Sequence, residues 1–297
     1  MRAFAYFVLL LLVSLFLSAL INYPLYNLLQ ESMSNGPHKL INTVAKLIAI
    51  PGFILIIRHF AIDNRIGLGY GLAKSEFLRD LLRGWLSGLL ILMLLSAALI
   101  LFGVRSVSIP AEAWLPLLLK TTLVALIGGL LIGFIEETFF RGGLFGAIRR
   151  DHGFAVTLLL SSLFYAGLHF IKPLPVSGDA AEVWYSGLLI LSGAFVQFTE
   201  WQIADSFIAL FGLGAFFAVV RERTGNIAYC IGAHAGFVFV IKIVRKFTDL
   251  NPDSTFNFMV GNYDGMIGYL SAAGLLIHTL IVYRFWRRPH AGRTVTQ

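Results

Sequence analysis

The sequence has 297 residues, of which 58% are hydrophobic and 13% charged, and a formal net charge of +7. Soluble domains contain about 25% charged residues, so this composition excludes a soluble globular protein and predicts several membrane spans. The single cysteine, Cys230, excludes an intrachain disulfide and an all-cysteine metal site. The 23 Lys and Arg residues cluster between apolar segments and form no basic domain, so we expect no nucleic-acid partner.

Eight apolar segments approach the length of about 20 residues that a helix needs to cross a bilayer. The first follows Arg2 like a signal peptide, but it runs on without a small-residue cleavage site, so we expect an uncleaved span. The segment Val183–Phe198 is short and polar residues follow it, which indicates an interfacial or re-entrant helix; the alternative is a ninth span. The eight predicted spans are 4–29, 40–58, 83–103, 115–140, 154–171, 203–220, 227–245 and 264–286.

The predicted fold is therefore all-α: a polytopic membrane protein with about eight transmembrane helices around an intramembrane polar cavity. Basic residues in 58–83 and in the segment after span four place both segments in the cytoplasm. With eight spans, the turn 221–226 and the basic tail lie on the same side, so both chain termini are predicted to be cytoplasmic. We expect an integral protein of a bacterial cytoplasmic membrane, in contact with the lipid bilayer.

Two adjacent carboxylates, Glu136 and Glu137, lie with Arg141 in the otherwise apolar run Leu115–Phe145. A charged side chain at the centre of a span costs roughly 2.5–3.5 kcal/mol on translocon scales. The presence of these charged residues in a span therefore indicates a structural or functional role. On a helix Glu137 and Arg141 are i,i+4 neighbours, which indicates a structural ion pair. Glu136 points about 100° away around the axis. A carboxylate without a partner can exchange protons, and Glu136 is therefore the first candidate for chemistry.

Two later apolar segments each contain one histidine, His169 and His234. If spans four and five form a hairpin that turns at 150–153, Glu136 and His169 are nearly equidistant from the turn and lie at similar depth. His234 follows the turn at Asn226 by eight residues, or about 12 Å of helix. We expect the three side chains to converge. The alternative for each histidine is a structural hydrogen bond to a neighbouring helix.

Three motifs in this order resemble those of the CPBP family of intramembrane proteases, which includes the CAAX prenyl endopeptidases and the bacterial Abi-type proteins. The resemblance covers about residues 115–245. The motifs are Glu136-Glu137-Thr-Phe-Phe-Arg141, Tyr165-Ala-Gly-Leu-His169 and His234-Ala-Gly-Phe-Val238.

The resemblance implies a role for each motif residue. Glu136 and His169 would activate a water that attacks the scissile carbonyl, and His234 would help to stabilise the oxyanion. Glu137, Arg141 and Tyr165 would shape the site. Amide hydrolysis requires a general base near the attacking water and a hydrogen-bond donor near the oxyanion.

Two positions depart from the family pattern. Tyr165 stands where the family usually has Phe, which is a mild change. Val238 stands four residues after His234, where the family usually has Asn. Because an apolar side chain cannot donate to an oxyanion, another group supplies the donor, the geometry differs, or activity is reduced.

The leading hypothesis is an intramembrane endopeptidase that cleaves a peptide or a lipidated or membrane-anchored protein near the cytoplasmic face. We favour a metal-free mechanism without a cofactor; the rival mechanism has zinc held by Glu136, His169 and His234, with water in an open fourth position. The alternatives are a non-enzymatic scaffold or immunity protein on the same fold, which Val238 favours, and a proton-coupled transporter. The sequence shows no pair of corresponding halves with discontinuous helices, which a transporter would favour.

The chain divides into three predicted regions on these grounds. Residues 1–110 hold the N-terminal transmembrane helices and a cytoplasmic connector. Residues 111–250 form the CPBP-like catalytic core, and residues 251–297 hold the last transmembrane helix and a basic cytoplasmic tail.

Overall fold

The computed structural model describes residues 1–30, 36–109, 114–176, 183–261 and 263–285. The described chain is predominantly helical, which confirms the predicted all-α class. Short 3₁₀ helices occur at Val196–Thr199, Trp201–Ile203 and Asn257–Met259. The α-helices are α1 Arg2–Leu29, α2 Pro37–His59, α3 Lys74–Leu101, α4 Trp114–Glu137, α5 Phe145–Asp151, α6 Phe154–Leu168, α7 Ser186–Gly193, α8 Ala204–Thr224, α9 Ala228–Phe247 and α10 Tyr269–Phe285.

Six helical stretches of the described chain are long and apolar enough to cross a membrane. They are α1, α2, α3, the stretch Trp114–Asp151, the stretch Trp201–Thr224, and α9. The predicted spans 154–171 and 264–286 overlap α6 and α10, which are apolar but shorter, with only 15 and 17 residues. The count of eight spans therefore stays a prediction, as does the interfacial position of α7. The basic tail residues Arg287, Arg288 and Arg293 lie outside the described residues.

One small sheet accompanies the helices in the described chain. Strand β1, Arg105–Val107, pairs antiparallel with β2, Thr248–Leu250, with Ser106 opposite Asp249. Arg105 ties the two strands together, because its Nε donates to the Thr248 hydroxyl at 2.6 Å and its Nη2 to the Thr248 carbonyl at 2.8 Å. The pairing fixes the end of α3 beside the end of α9.

Helix α9 lies at the centre of the packing, between α3 and α4. Every residue from 228 to 237 is buried. A Cβ added at Gly232 would collide with the backbone of α3 at Leu81 and Trp85, and one added at Gly133 of α4 would lie 2.8 Å from the carbonyl oxygen of Ile231. Small residues let helix backbones approach this closely, so α9 presents His234 directly to α4.

The loops gather at two ends of the bundle. At the first, called here the basic end, the loop 60–73 meets the turns 152–153 and 225–227. There the Ile227 amide donates to the Gly69 carbonyl at 3.0 Å, and Arg149 forms an ion pair with Glu222 at 3.0 Å. The other end, called here the sheet end, holds β1, β2, the segments 170–176 and 183–203, and the loop between β2 and α10.

Candidate active site

The first motif lies where α4 changes its hydrogen-bonding pattern. Glu136 and Glu137 are the last two residues of α4, and Thr138–Leu144 then form a π-helix. Single π turns are rare and often occur at functional sites. The predicted ion pair joins the end of α4 to this π-helix. Arg141 Nε lies 3.2 Å from Glu137 Oε2, and both side chains are almost fully buried.

Arg141 is buried, and groups of α8 and α6 contact its guanidinium. Its Nη2 donates to the Gly214 carbonyl of α8 at 3.2 Å. Its guanidinium lies over the rings of Tyr165 and Phe217, at 4.6 and 5.0 Å from their centroids. A planar guanidinium suits such stacked and paired positions better than a lysine would, and it anchors Glu137 in the interior.

Glu137 has a second partner that the sequence did not indicate. Its Oε1 accepts a hydrogen bond from Nδ1 of His234 at 2.8 Å. The His234 ring also stacks on Phe217, with centroids 5.7 Å apart and planes 16° from parallel. The carboxylate of Glu137 therefore joins Arg141 to His234 and fixes the orientation of the imidazole, so its role extends beyond the pair with Arg141.

Glu136 is the more accessible of the two carboxylates. Its side chain is 32% exposed, and its Oε2 lies 3.8 Å from Nε2 of His234. That oxygen is itself buried and has no hydrogen-bond partner among the described residues. Nδ1 of His234 donates to Glu137, so Nε2 is directed toward Glu136. The Glu136 carboxylate and Nε2 of His234 therefore face each other, but at 3.8 Å they form no direct hydrogen bond.

His169 lies directly after the last residue of α6. Its Nδ1 donates to the Tyr165 carbonyl at 2.8 Å, which leaves Nε2 unoccupied, and its ring lies 4.6 Å from the Tyr165 ring. In the described chain His169 forms no hydrogen bond to Glu136 or His234. The structure therefore brings Glu136 and His234 together, with Oε2 and Nε2 3.8 Å apart, and leaves His169 at the edge of this cluster.

The donor set for the rival zinc mechanism was Glu136, His169 and His234. Among the described residues, no group of three or more His, Cys, Asp or Glu side chains is arranged so that it could hold a metal ion. Nδ1 of His234 is occupied by Glu137, which leaves only Nε2 as a ligand. The arrangement as it stands does not fit a three-ligand zinc site, and the metal-free mechanism stays a prediction.

Two tyrosines from loops contact the cluster, and the sequence patterns had not indicated either. The Tyr70 hydroxyl hydrogen-bonds the Thr138 hydroxyl, directly after Glu137. The Tyr263 ring lies 6.3 Å from that of His169. Loop residues lack the helical period that marks a buried face, so no local sequence signal identifies them. Only the packing of the folded chain shows that these tyrosines lie near the motif residues.

A polar cavity of about 340 Å³ lies at the sheet end of the bundle, and Phe170, the residue after His169, lines it. It lies opposite the basic end, because its lining residues follow α6, precede α8 and precede α10. The lining residues are Phe170, Lys172, Gln197, Glu200, Gln202, Ile203 and Tyr263. A group that reaches His169 through this cavity therefore comes from the sheet end.

The comparisons with known proteins agree with the motifs. No curated protein and no solved structure matches the chain. A family model described as "Type II CAAX prenyl endopeptidase Rce1-like" matches residues 118–240, which include both carboxylates, His169 and His234. The match confirms the resemblance to the CPBP and CAAX proteases over these residues, and the six candidate spans indicate an integral membrane protein.

Proposed function

We propose that the protein is an intramembrane endopeptidase of CPBP type that hydrolyses a peptide bond in a lipidated or membrane-anchored protein or peptide. The observation that carries the proposal is the contact of the buried His234 ring with both carboxylates, at 2.8 Å from Glu137 and 3.8 Å from Glu136. This cluster falls within the residues that match the CAAX endopeptidase family. A prenylated C-terminal peptide is one substrate class that this family suggests.

In the proposed mechanism Glu136 is the general base. A water between Glu136 and His169 loses its proton to the carboxylate while its oxygen attacks the scissile carbonyl. The resulting tetrahedral oxyanion accepts a hydrogen bond from Nε2–H of protonated His234. Glu136 then returns the proton to the amine as the carbon–nitrogen bond breaks. Such proton transfer by a positioned group contributes about 10²–10⁴-fold to the rate.

Glu137 and Arg141 act as positioning residues in this mechanism. The hydrogen bond from Nδ1 to Glu137 holds the His234 ring in place, with Nε2 directed toward Glu136. Arg141 provides Glu137 with a counter-ion in the interior, 3.2 Å away. Tyr165 supports Arg141 through its ring and His169 through its carbonyl. No cofactor takes part.

The distribution of charge supports an orientation for the protein. Four arginines lie at or near the basic end: Arg58, Arg65, Arg149 and Arg150. We propose that this end and both chain termini face the cytoplasm. The membrane would be a bacterial cytoplasmic membrane. The cavity beside His169 then opens toward the opposite side. We therefore propose that the substrate reaches the site from the sheet end, which differs from the expectation of cleavage near the cytoplasmic face.

A non-enzymatic scaffold on the same fold is the second candidate, and Val238 is the observation that favours it. With an apolar residue at this position, the site could have lost one of its oxyanion donors. The clustering of Glu136, Glu137 and His234 weighs against this candidate, because a scaffold has no use for carboxylates that are costly to bury in a membrane.

The experiment compares protein and peptide termini in membranes of cells that express wild type, Glu136→Gln, or Glu76→Gln as a control outside the site. We expect one or more new termini in wild type and in the control, and their loss in Glu136→Gln. Identical termini in all three strains, at equal protein abundance, would support the scaffold instead.

A further inference from the structure

The proposed mechanism leaves the oxyanion with one donor, Nε2 of His234. Oxyanion sites commonly present two or more donors, and removing one costs about 10²–10³-fold in kcat. The family's Asn position is occupied by Val238, which has no donor. The second donor therefore has to come from elsewhere in the fold, and the loop between β2 and α10 brings a tyrosine ring against His169.

Hydrogen bonds tie this loop to its surroundings. The Asp264 carboxylate accepts from the backbone amides of Met266 and Ile267, at 2.9 and 2.8 Å. The Ile267 carbonyl accepts from the Ser206 hydroxyl of α8 at 3.1 Å. Arg105 of β1 donates to the Gly265 carbonyl at 2.9 Å. A loop attached to both α8 and the sheet can hold a side chain in one place, as a donor for a transition state requires.

The side chain that this loop presents is Tyr263. Its ring packs edge-on against His169, with centroids 6.3 Å apart, and against Phe170 at 5.4 Å. The Lys172 ammonium lies over its face, 4.0 Å from the centroid. These contacts place Tyr263 between His169 and the polar cavity, where a peptide that reaches the cluster from the sheet end would pass.

The protonation state of Tyr263 suits a donor. Burial raises the pKa of its hydroxyl to about 12, and the neighbouring carboxylates of Asp264 and Glu136 add to the rise. The hydroxyl therefore keeps its proton at neutral pH.

We propose that the Tyr263 hydroxyl donates a hydrogen bond to the scissile carbonyl oxygen as the oxyanion forms, in the role that the family's Asn fills elsewhere. Nε2 of His234 supplies the other hydrogen bond. This inference rests on the proposed protease function, and it makes Tyr263 a catalytic residue that none of the three motifs contains.

The test uses the full chain in proteoliposomes and an internally quenched peptide with a prenylated cysteine near its C-terminus as the probe. The variants are Tyr263→Phe, which removes only the hydroxyl, Tyr269→Phe as a control outside the site, and Glu136→Gln. Tyr263→Phe should lower kcat by about 10²-fold and change KM by less than about threefold. Tyr269→Phe should match wild type.

A second pair of variants separates catalysis from packing. Tyr263→Phe keeps the ring that packs on His169, so its midpoint of thermal unfolding should equal that of wild type. Adding Val238→Asn to Tyr263→Phe should restore part of kcat, because Asn returns a donor to the family position.

The outcomes distinguish the two proposals. An unchanged kcat in Tyr263→Phe, with cleavage still abolished in Glu136→Gln, would overturn the role of Tyr263 and leave the protease function intact. A raised KM with unchanged kcat would also overturn it, since it would show ground-state binding only. If wild type and Glu136→Gln leave the probe equally uncut, and the membrane termini of their strains are also identical, the protease function and the Tyr263 role fall together.

Discussion

Nδ1 of His234 lies 2.8 Å from Oε1 of Glu137, and this hydrogen bond joins α9 to the last residue of α4. The two residues are 97 positions apart, and both side chains are buried. The same carboxylate holds Arg141 at 3.2 Å. A single buried glutamate thus fixes the imidazole that the proposed mechanism uses and balances the charge of the arginine.

Replacing Glu137 should destabilise the protein more than replacing Glu136. Glu137→Gln leaves the Arg141 charge buried without its counter-ion, and breaking a buried pair in this way costs about 3–5 kcal/mol. Glu136→Gln should leave the free energy of unfolding close to that of wild type, because its side chain is 32% exposed and its oxygen is 3.8 Å from His234. The free energies of unfolding of the two variants can be measured and compared in detergent micelles.

The two variants should also differ in activity. Glu136→Gln should remain folded and inserted but inactive, since it removes the general base. Glu137→Gln should lose activity together with abundance. Equal stability of the two variants would contradict the assignment of Glu137 to the supporting role, and normal cleavage by Glu136→Gln would remove Glu136 from the mechanism.

The sequence predicted the features that depend on local spacing. The pair of Glu137 with Arg141 follows from i,i+4 positions on a helix, and the all-α class follows from the apolar segments. The hydrogen bond of Glu137 to His234 depends instead on how α4 packs against α9, and residues so distant in the chain give no local pattern.

Short and irregular elements were also beyond prediction from the sequence. The strands Arg105–Val107 and Thr248–Leu250 have three residues each, too few for an alternating pattern to be read. Predicted span 154–171 extends past the end of α6 at Leu168. His169 therefore lies just beyond the helix, where it meets Tyr263 from a loop.

Chelation should leave the activity unchanged. The described residues hold no group of three ligands arranged for a metal ion, and the metal-free mechanism draws its base from Glu136 alone. Cleavage of the prenylated probe should be the same before and after dialysis against EDTA and 1,10-phenanthroline. Loss of cleavage that is restored by added Zn²⁺, and by no other divalent cation, would establish the zinc mechanism instead.

Close packing of α3 on α9 should make Gly232 intolerant of a side chain. A Cβ at Gly232 collides with the α3 backbone, and such overpacking typically costs about 1–3 kcal/mol. Gly274 of α10 is the matched control, because a Cβ there meets no atom within 4 Å. Gly274→Ala should be neutral or stabilise the protein by up to about 1 kcal/mol, the difference in helix propensity.

The comparison of the two glycine variants needs only the free energy of unfolding in micelles. Gly232→Ala should also lower activity, because a shift of α9 moves His234 away from Glu136. If Gly232→Ala is as stable and as active as Gly274→Ala, α3 and α9 are farther apart in the membrane than the structure shows.

The proposed orientation predicts which side of the membrane each end of the bundle faces. The chain has one cysteine, the buried Cys230, so a Cys230→Ala background allows single-cysteine labelling. Gln202→Cys lies at the cavity of the sheet end, and Asp151→Cys lies at the end of α5 in the basic end; both positions are exposed. In intact spheroplasts an impermeant maleimide should label residue 202, and residue 151 only after lysis.

Labelling also decides where the substrate comes from. If residue 202 is labelled from outside, the cavity beside His169 faces away from the cytoplasm, and a peptide that enters through it belongs to an exported or surface-anchored protein. If residue 151 is labelled first, the positive-inside rule fails for this chain. The cavity would then face the cytoplasm, in agreement with cleavage of a lipidated cytoplasmic protein near the inner face of the membrane.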